Sequence, residues 1–317
     1  MNFKEELDKK ASGCEAVLKK YLPAEEGYQR TVLEAMNYST LAGGKRLRPM
    51  LMQESFRLFG GKGDIVEPFM AALEMIHNYS LVHDDLPCMD NDEYRRGRKT
   101  TWTVYGDGMA VLAGDALLNY AFETASGAFF MVDRAAEQMD ELTLQGAVSM
   151  AARYAAVGKA MAVLAKKAGV YGMIGGQCAD IEAEEKKPEE VDNDLLFYIH
   201  KNKTAALIES ALMIGAILAG ASAQEVAAME KVGENIGIAF QIQDDILDVT
   251  SSTEVLGKPV GSDEKNNKAT YVSLNGLEKA REDVRRLSEE AIGQLKKGPV
   301  RNLFLEELVE NLITREK

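Results

Sequence analysis

The chain has 317 residues, 46% of them apolar and 27% charged, a globular balance that excludes disorder and is large enough for a sizeable core. Its net charge of −13 argues against a nucleic-acid partner, because such binders carry a basic excess. Three cysteines, Cys14, Cys88 and Cys178, are too few and too uneven for a disulfide framework and suit a reducing cytoplasm.

Helix-forming residues dominate, only seven prolines interrupt them, and no run alternates in the manner of a strand. The first segment, MNFKEELDKKASG, is charged throughout and does not read as a signal peptide. Gly43-Gly44-Lys45-Arg46-Leu47-Arg48-Pro49 opens a helix. Two glycines permit close approach of an anion, and Lys45 and Arg48 lie one turn apart near the helix start. On its own this is also what a basic surface turn looks like. Residues 60–64, GGKGD, form a loop.

The apolar spacing of Val66–Asp84 predicts a long helix ending at the first aspartate cluster, Asp84, Asp85 and Asp90. Pro87 removes a helical hydrogen bond, so the helix bends or ends there, and spacing alone leaves open whether Asp84 and Asp90 converge. His77, Ser80 and Asp84 share one stripe, with about 10 Å between its ends. Glu74-x-x-His77 is half of a di-iron carboxylate pattern, but neither His83 nor His200 supplies the second half. Arg95-Arg96-Gly97 comes next, a pair that in isolation reads as a surface ion-pair patch.

Lys186–Asp194 is a polar break, after which Leu195–Gly220 and Gln224–Asp248 are predicted helices. The greasiest run, Ser210–Ser222, falls short of the roughly 20 apolar residues that a membrane span needs and reads as a buried helix. Lys201, Lys203 and Thr204 precede it. In the second aspartate cluster, Asp244 and Asp248 share a face with Gln241. Carboxylates on an otherwise apolar helix repel one another unless a hard cation sits between them, and oxygen ligands select magnesium or calcium. Thr250–Lys268, containing Lys258, has the turn chemistry of a lid. No stretch reads as a long linker, so residues 1–317 are expected to form one all-α domain.

Taken together, GGKRLRP, HNYSLVHDDLPCMDNDEYRRG, GGQCADI, HKNKT, FQIQDDILD, LGKPVGSD and KATY resemble, in order, the motifs of the short-chain trans-isoprenyl diphosphate synthases, and within them the bacterial farnesyl type. The resemblance runs from Gly43 to Tyr271. It implies an all-α bundle of long helices around a deep central cavity, a homodimer, and head-to-tail condensation of isopentenyl diphosphate with an allylic diphosphate. It further implies that Asp84 and Asp90, with Asp85 in support, and Asp244 with Asp248 nearby, hold three magnesium ions, manganese being an alternative. Arg95, Lys203 and Lys258 then bind the allylic diphosphate. Lys45, Arg48, His77 and Arg96 bind isopentenyl diphosphate, and Gln177, Thr204 and Gln241 face the reacting carbons. Tyr79, with Ser80 beside it, and the insertion Pro87-Cys88 match the farnesyl pattern of chain-length control. On an ideal helix, however, Tyr79 lies about 140° from Asp84 and reads equally as a core tyrosine. A geranyl or geranylgeranyl product, a terpene cyclase and a non-catalytic partner subunit are the competing readings. The second intact aspartate cluster and the isopentenyl set speak against the cyclase, and both intact clusters against the silent subunit.

Overall fold

The computed structural model describes residues 2–137, 143–187, 190–250 and 269–314. The helices in chain order are α1 (Phe3–Tyr21), α2 (Arg30–Thr40), α3 (Leu47–Leu58), α4 (Glu67–Asp84), α5 (Thr101–Tyr105), α6 (Asp107–Glu137), α7 (Leu144–Ala168), α8 (Met173–Glu184), α9 (Asn193–Ile199), α10 (Ala206–Leu218), α11 (Ala223–Thr250), α12 (Tyr271–Asn275), α13 (Leu277–Leu295) and α14 (Leu303–Thr314). A π-helical turn, His200–Ala205, joins α9 to α10. Among the described residues the only strands are β1 (Tyr94–Arg95) and β2 (Arg98–Lys99), an antiparallel pair. The chain is all-α, as its composition predicts.

Contacts divide it into two compact units, residues 1–53 with 62–161, and residues 54–61 with 162–317. In the first, α4 packs against α6. Helix α4 is apolar nearly all round, with Phe69, Met70, Leu73, Met75 and Ile76 sealed from solvent, each worth about 1.5–3 kcal/mol of transfer free energy. Helix α6 meets its neighbours through Ala110, Ala113, Leu117, Ala121, Ala125 and Ala128, all fully buried. Small residues at three- and four-residue spacing let two helices approach closely.

In the second unit, α10 is the central element. Every residue from Ala206 to Ile217 is buried, as expected for the first part of the run Ser210–Ser222; the helix ends at Leu218, and Gly220 and Ser222 are exposed. Helix α11 packs on α10 and α13, with Ala205, Ile238, Ile242, Ile246, Ala280 and Val284 in one cluster. The predicted single helix over 195–220 is wound differently at its middle, since HKNKTA adopts i→i+5 geometry. A π turn shifts the side-chain phase of the residues beyond it, a change that apolar spacing does not register. Within Leu144–Glu184, one stretch is apolar enough by length and composition to cross a membrane, with 17% of that window buried.

Candidate functional site

In the first unit, α4 ends at Asp84, and Asp85 caps it, two residues ahead of Pro87. The chain then folds back. The Asp90 amide donates to the Asp84 carbonyl at 2.8 Å, and the Asn91 amide to the Leu86 carbonyl at 3.0 Å. The turn thus answers what spacing left open and brings the backbone of Asp90 against that of Asp84. The return path is pinned by Trp102 Nε1 and Thr100 Oγ1, which both donate to the Asp92 carbonyl, at 2.9 and 2.8 Å. Asp85 points inward and is 4% exposed. Arg95 Nε donates to it at 2.7 Å, while burial pushes its carboxyl up, against the pull of Arg95.

The basic set is seated beside this turn. Arg46 is buried and accounted for by Glu15 at 2.7 Å, Glu74 at 2.8 Å and the Thr40 carbonyl at 2.7 Å. It is the strut of the GGKRLRP loop, and Glu74 is its partner. Arg96 donates to the Gly43 carbonyl. Gly44, at φ +134°, leaves the space that Arg96 fills, since a Cβ there would lie 2.7 Å from its Nη1. Arg48, His77 and Arg96 converge. Burial, and then the charges of Arg48, Arg96, Arg95 and Arg46, hold the His77 imidazole well below its ordinary value, so it is neutral. Burial likewise lowers Arg48, and Arg48 Nε is buried without a hydrogen-bond acceptor. Lys45 sits exposed at the mouth of the same loop. A concavity lined by Tyr38, Asn78, Asp85, Arg95, Arg96 and Arg98 adjoins them. Tyr79 is 6% exposed and edge-on to His83 at 5.8 Å. Burial and the Asp84 charge push its hydroxyl up to about 12. Ser80 bonds back to the His77 carbonyl at 2.9 Å.

In the second unit, the π turn aims two side chains at two helices. Lys203 Nζ donates to Asp180 of α8 at 2.5 Å, and Thr204 Oγ1 donates to Gln241 Oε1 of α11 at 3.0 Å. Glycines make the fit possible. A Cβ on Gly176 would lie 2.1 Å from the Lys203 amide nitrogen, and one on Gly237 would lie 2.3 Å from Ala205 Cβ. Gln177 follows Gly176 on α8, partly buried. Asp244 and Asp248 are partly exposed on α11, while Asp245 between them is buried. Lys258 and the stretch 251–268 lie outside the described residues.

Sequence reasoning gave no role to Arg46, Asp180 or Asp245. All three had a signal, since each stands inside a quoted motif and is an ionisable residue amid glycines or apolar neighbours. Among the described residues no three His, Cys, Asp or Glu gather as a metal site. The donor set nevertheless fits a hard cation. Magnesium is ordinarily held by one or two carboxylates, with water and substrate phosphate completing its shell, rather than by an all-protein cage.

The polyprenyl synthetase family profile matches residues 29–306. A dimethylallyltranstransferase of Fischerella ambigua is 40% identical over 314 residues, covering 99% of this chain and 84% of that protein. A farnesyl diphosphate synthase of Geobacillus stearothermophilus is 38% identical, covering 98% and 97%. A geranylgeranyl pyrophosphate synthase of Capsicum annuum is 42% identical, covering 93% and 73%. The crystal structure of an FPP/GFPP synthase from Zymomonas mobilis superposes with a TM-score of 0.79 at 31% identity, covering 99% of each chain. With motif order, helical architecture and these relatives in agreement, the chain belongs to the polyprenyl synthetase family of prenyltransferases.

Proposed function

We propose that this prenyltransferase condenses isopentenyl diphosphate with dimethylallyl and geranyl diphosphate, and that farnesyl diphosphate is its main product. The observation that carries the reading is the cradle of Arg48, His77 and Arg96, with a buried Arg48 Nε lacking an acceptor. It suits a diphosphate bound without metal, for which an enzyme acting on a single allylic substrate has no use.

The residues divide by chemistry. Asp84 and Asp90, with Asp85 in support, and Asp244 with Asp248, are the groups that would hold magnesium, three ions in the pattern of the resemblance. When bound, those ions supply charge neutralisation to the leaving diphosphate. Arg95 and Lys203, joined by Lys258, grip the same diphosphate. Lys45, Arg48, His77 and Arg96 grip the isopentenyl one. His77 contributes an N–H to that grip.

Ionisation of the allylic C–O bond leaves a carbocation that needs oxygen dipoles and no nucleophile. Thr204 and Gln241 offer oxygens, and Gln177 completes that wall. The isopentenyl double bond attacks the cation and a proton then leaves, with the departed diphosphate as the base. A homodimer in the cytoplasm belongs to the same reading.

The test is incubation of the purified protein with isopentenyl diphosphate, magnesium and either allylic diphosphate, with products identified by mass. A dominant fifteen-carbon diphosphate is expected. A twenty-carbon product would keep the chemistry and move the product assignment. No condensation by folded protein would sink the reading.

A further inference from the structure

Asp245 belongs to the second aspartate cluster by sequence, yet it is placed unlike its neighbours. It is 5% exposed. Its Oδ2 accepts the Tyr271 amide at 2.8 Å, and its Oδ1 lies 3.5 Å from Gln241 Nε2. His200 Nε2 stands 4.0 Å from Oδ2. A buried carboxylate is tolerated only where hydrogen bonds repay its lost hydration, and here both oxygens are engaged inside the protein.

We propose that Asp245 is a positioning residue that fixes the direction of the Gln241 amide. With Oδ2 taken by the Tyr271 amide, Oδ1 faces Gln241 as an acceptor and admits its NH2 rather than its carbonyl oxygen. Oε1 is therefore turned to Thr204, whose hydroxyl donates to it at 3.0 Å. The relay from carboxylate through amide to hydroxyl leaves oxygen lone pairs, not N–H groups, on the side of the pair away from Asp245. A developing carbocation is stabilised by the former and opposed by the latter. The role rests on the prenyl-transfer reading of Thr204 and Gln241.

Asparagine at 245 reverses the relay. The Tyr271 amide holds the asparagine oxygen, so its NH2 faces Gln241, and Gln241 turns its own oxygen inward and its NH2 toward Thr204. Asp245→Asn is expected to lower kcat by about 10–100-fold, with KM for isopentenyl diphosphate and the magnesium concentration for half-activation unchanged. Asp244→Asn, by contrast, raises the magnesium requirement. Gln241→Leu has no amide to turn, so adding Asp245→Asn to it is expected to lower kcat no further, and the double variant matches Gln241→Leu alone. If Asp245→Asn alone does not fold, the double variant against Gln241→Leu alone carries the same comparison.

A further loss of kcat when Asp245→Asn is added to Gln241→Leu, as large as in the unaltered protein, overturns the role. So does a magnesium requirement raised by Asp245→Asn as much as by Asp244→Asn. Turnover by the unaltered protein tests the underlying reading separately, and its absence would remove both.

Discussion

At the scale of the residue, Tyr79 shows how one side chain is committed by two helices. Its ring is held edge-on by His83, and His83 Nε2 lies 3.1 Å from the Val111 carbonyl. Gly114 of α6 leaves the room, since a Cβ there would stand 2.0 Å from His83 Nε2. The tyrosine is thus packed like a core residue, yet its hydroxyl is buried without a partner, which an ordinary core position would not retain. The two behaviours are separable. Tyr79→Phe removes an unsatisfied hydroxyl and is expected to leave stability unchanged or raise it by about 1 kcal/mol in urea unfolding. Tyr79→Ala opens space where the chain-length pattern puts the block on the growing tail. It is expected to cost about 3–5 kcal/mol and to shift the product from fifteen carbons toward twenty, read by mass. An unchanged product would assign Tyr79 to packing alone.

At the scale of the element, the sequence was most informative where one period ran undisturbed. Glu67–Asp84 and Ala223–Thr250 match the predicted spans to within two residues at each end, because apolar spacing of three and four is the direct imprint of a buried helix face. It was least informative at His200–Ala205. A π turn has no composition of its own, and nothing local in HKNKTA marks it. The cause is tertiary, in Gly176, Gly233 and Gly237, which bring α8 and α11 against this segment and the start of α10 so closely that a methyl group at any of them would lie within 2.5 Å of a neighbouring atom. Legibility of the site divides in the same way. Lys203, Thr204 and Gln241 were legible as motif members, but their mutual geometry depends on the turn and was not. Asp84 and Asp90 were legible as oxygen donors, and only the backbone reversal after Pro87 brought them together. Gly176→Ala therefore tests the element. It is expected to destabilise by about 1–3 kcal/mol, to break the Lys203–Asp180 pair, and to raise KM for the allylic diphosphate. Gly158→Ala, exposed on α7 with nothing within 4 Å of the added carbon, is expected to stabilise by about 1 kcal/mol through helix propensity alone. Equal behaviour of the two would deny the close seating of the π turn any role.

At the scale of the whole molecule, a chain of net charge −13 is asked to collect polyanions, and long-range attraction does not help it. Recognition has to be local, and the two diphosphate subsites proposed above face the problem differently. The cradle of Arg48, His77 and Arg96 draws its charge from guanidinium groups, with burial and its neighbours keeping the imidazole neutral. The aspartate clusters add negative charge and attract a diphosphate only after a divalent cation reverses their sign. Isopentenyl diphosphate is therefore expected to raise the melting temperature in the presence of EDTA, while an unreactive allylic diphosphate analogue does so only with magnesium. Added salt has opposite leverage on the two steps. It screens the repulsion between the acidic surface and either ligand, but it also screens the exposed Lys45 and Arg96 more than the half-buried Arg48, because screening acts most strongly on solvent-facing charges. Isopentenyl binding is thus expected to weaken only mildly with salt, and Lys45→Ala to flatten what dependence there is. Calorimetric titration across a salt series, with and without EDTA, measures both. A requirement for magnesium in isopentenyl binding would remove the division of labour between the arginine cradle and the aspartate clusters.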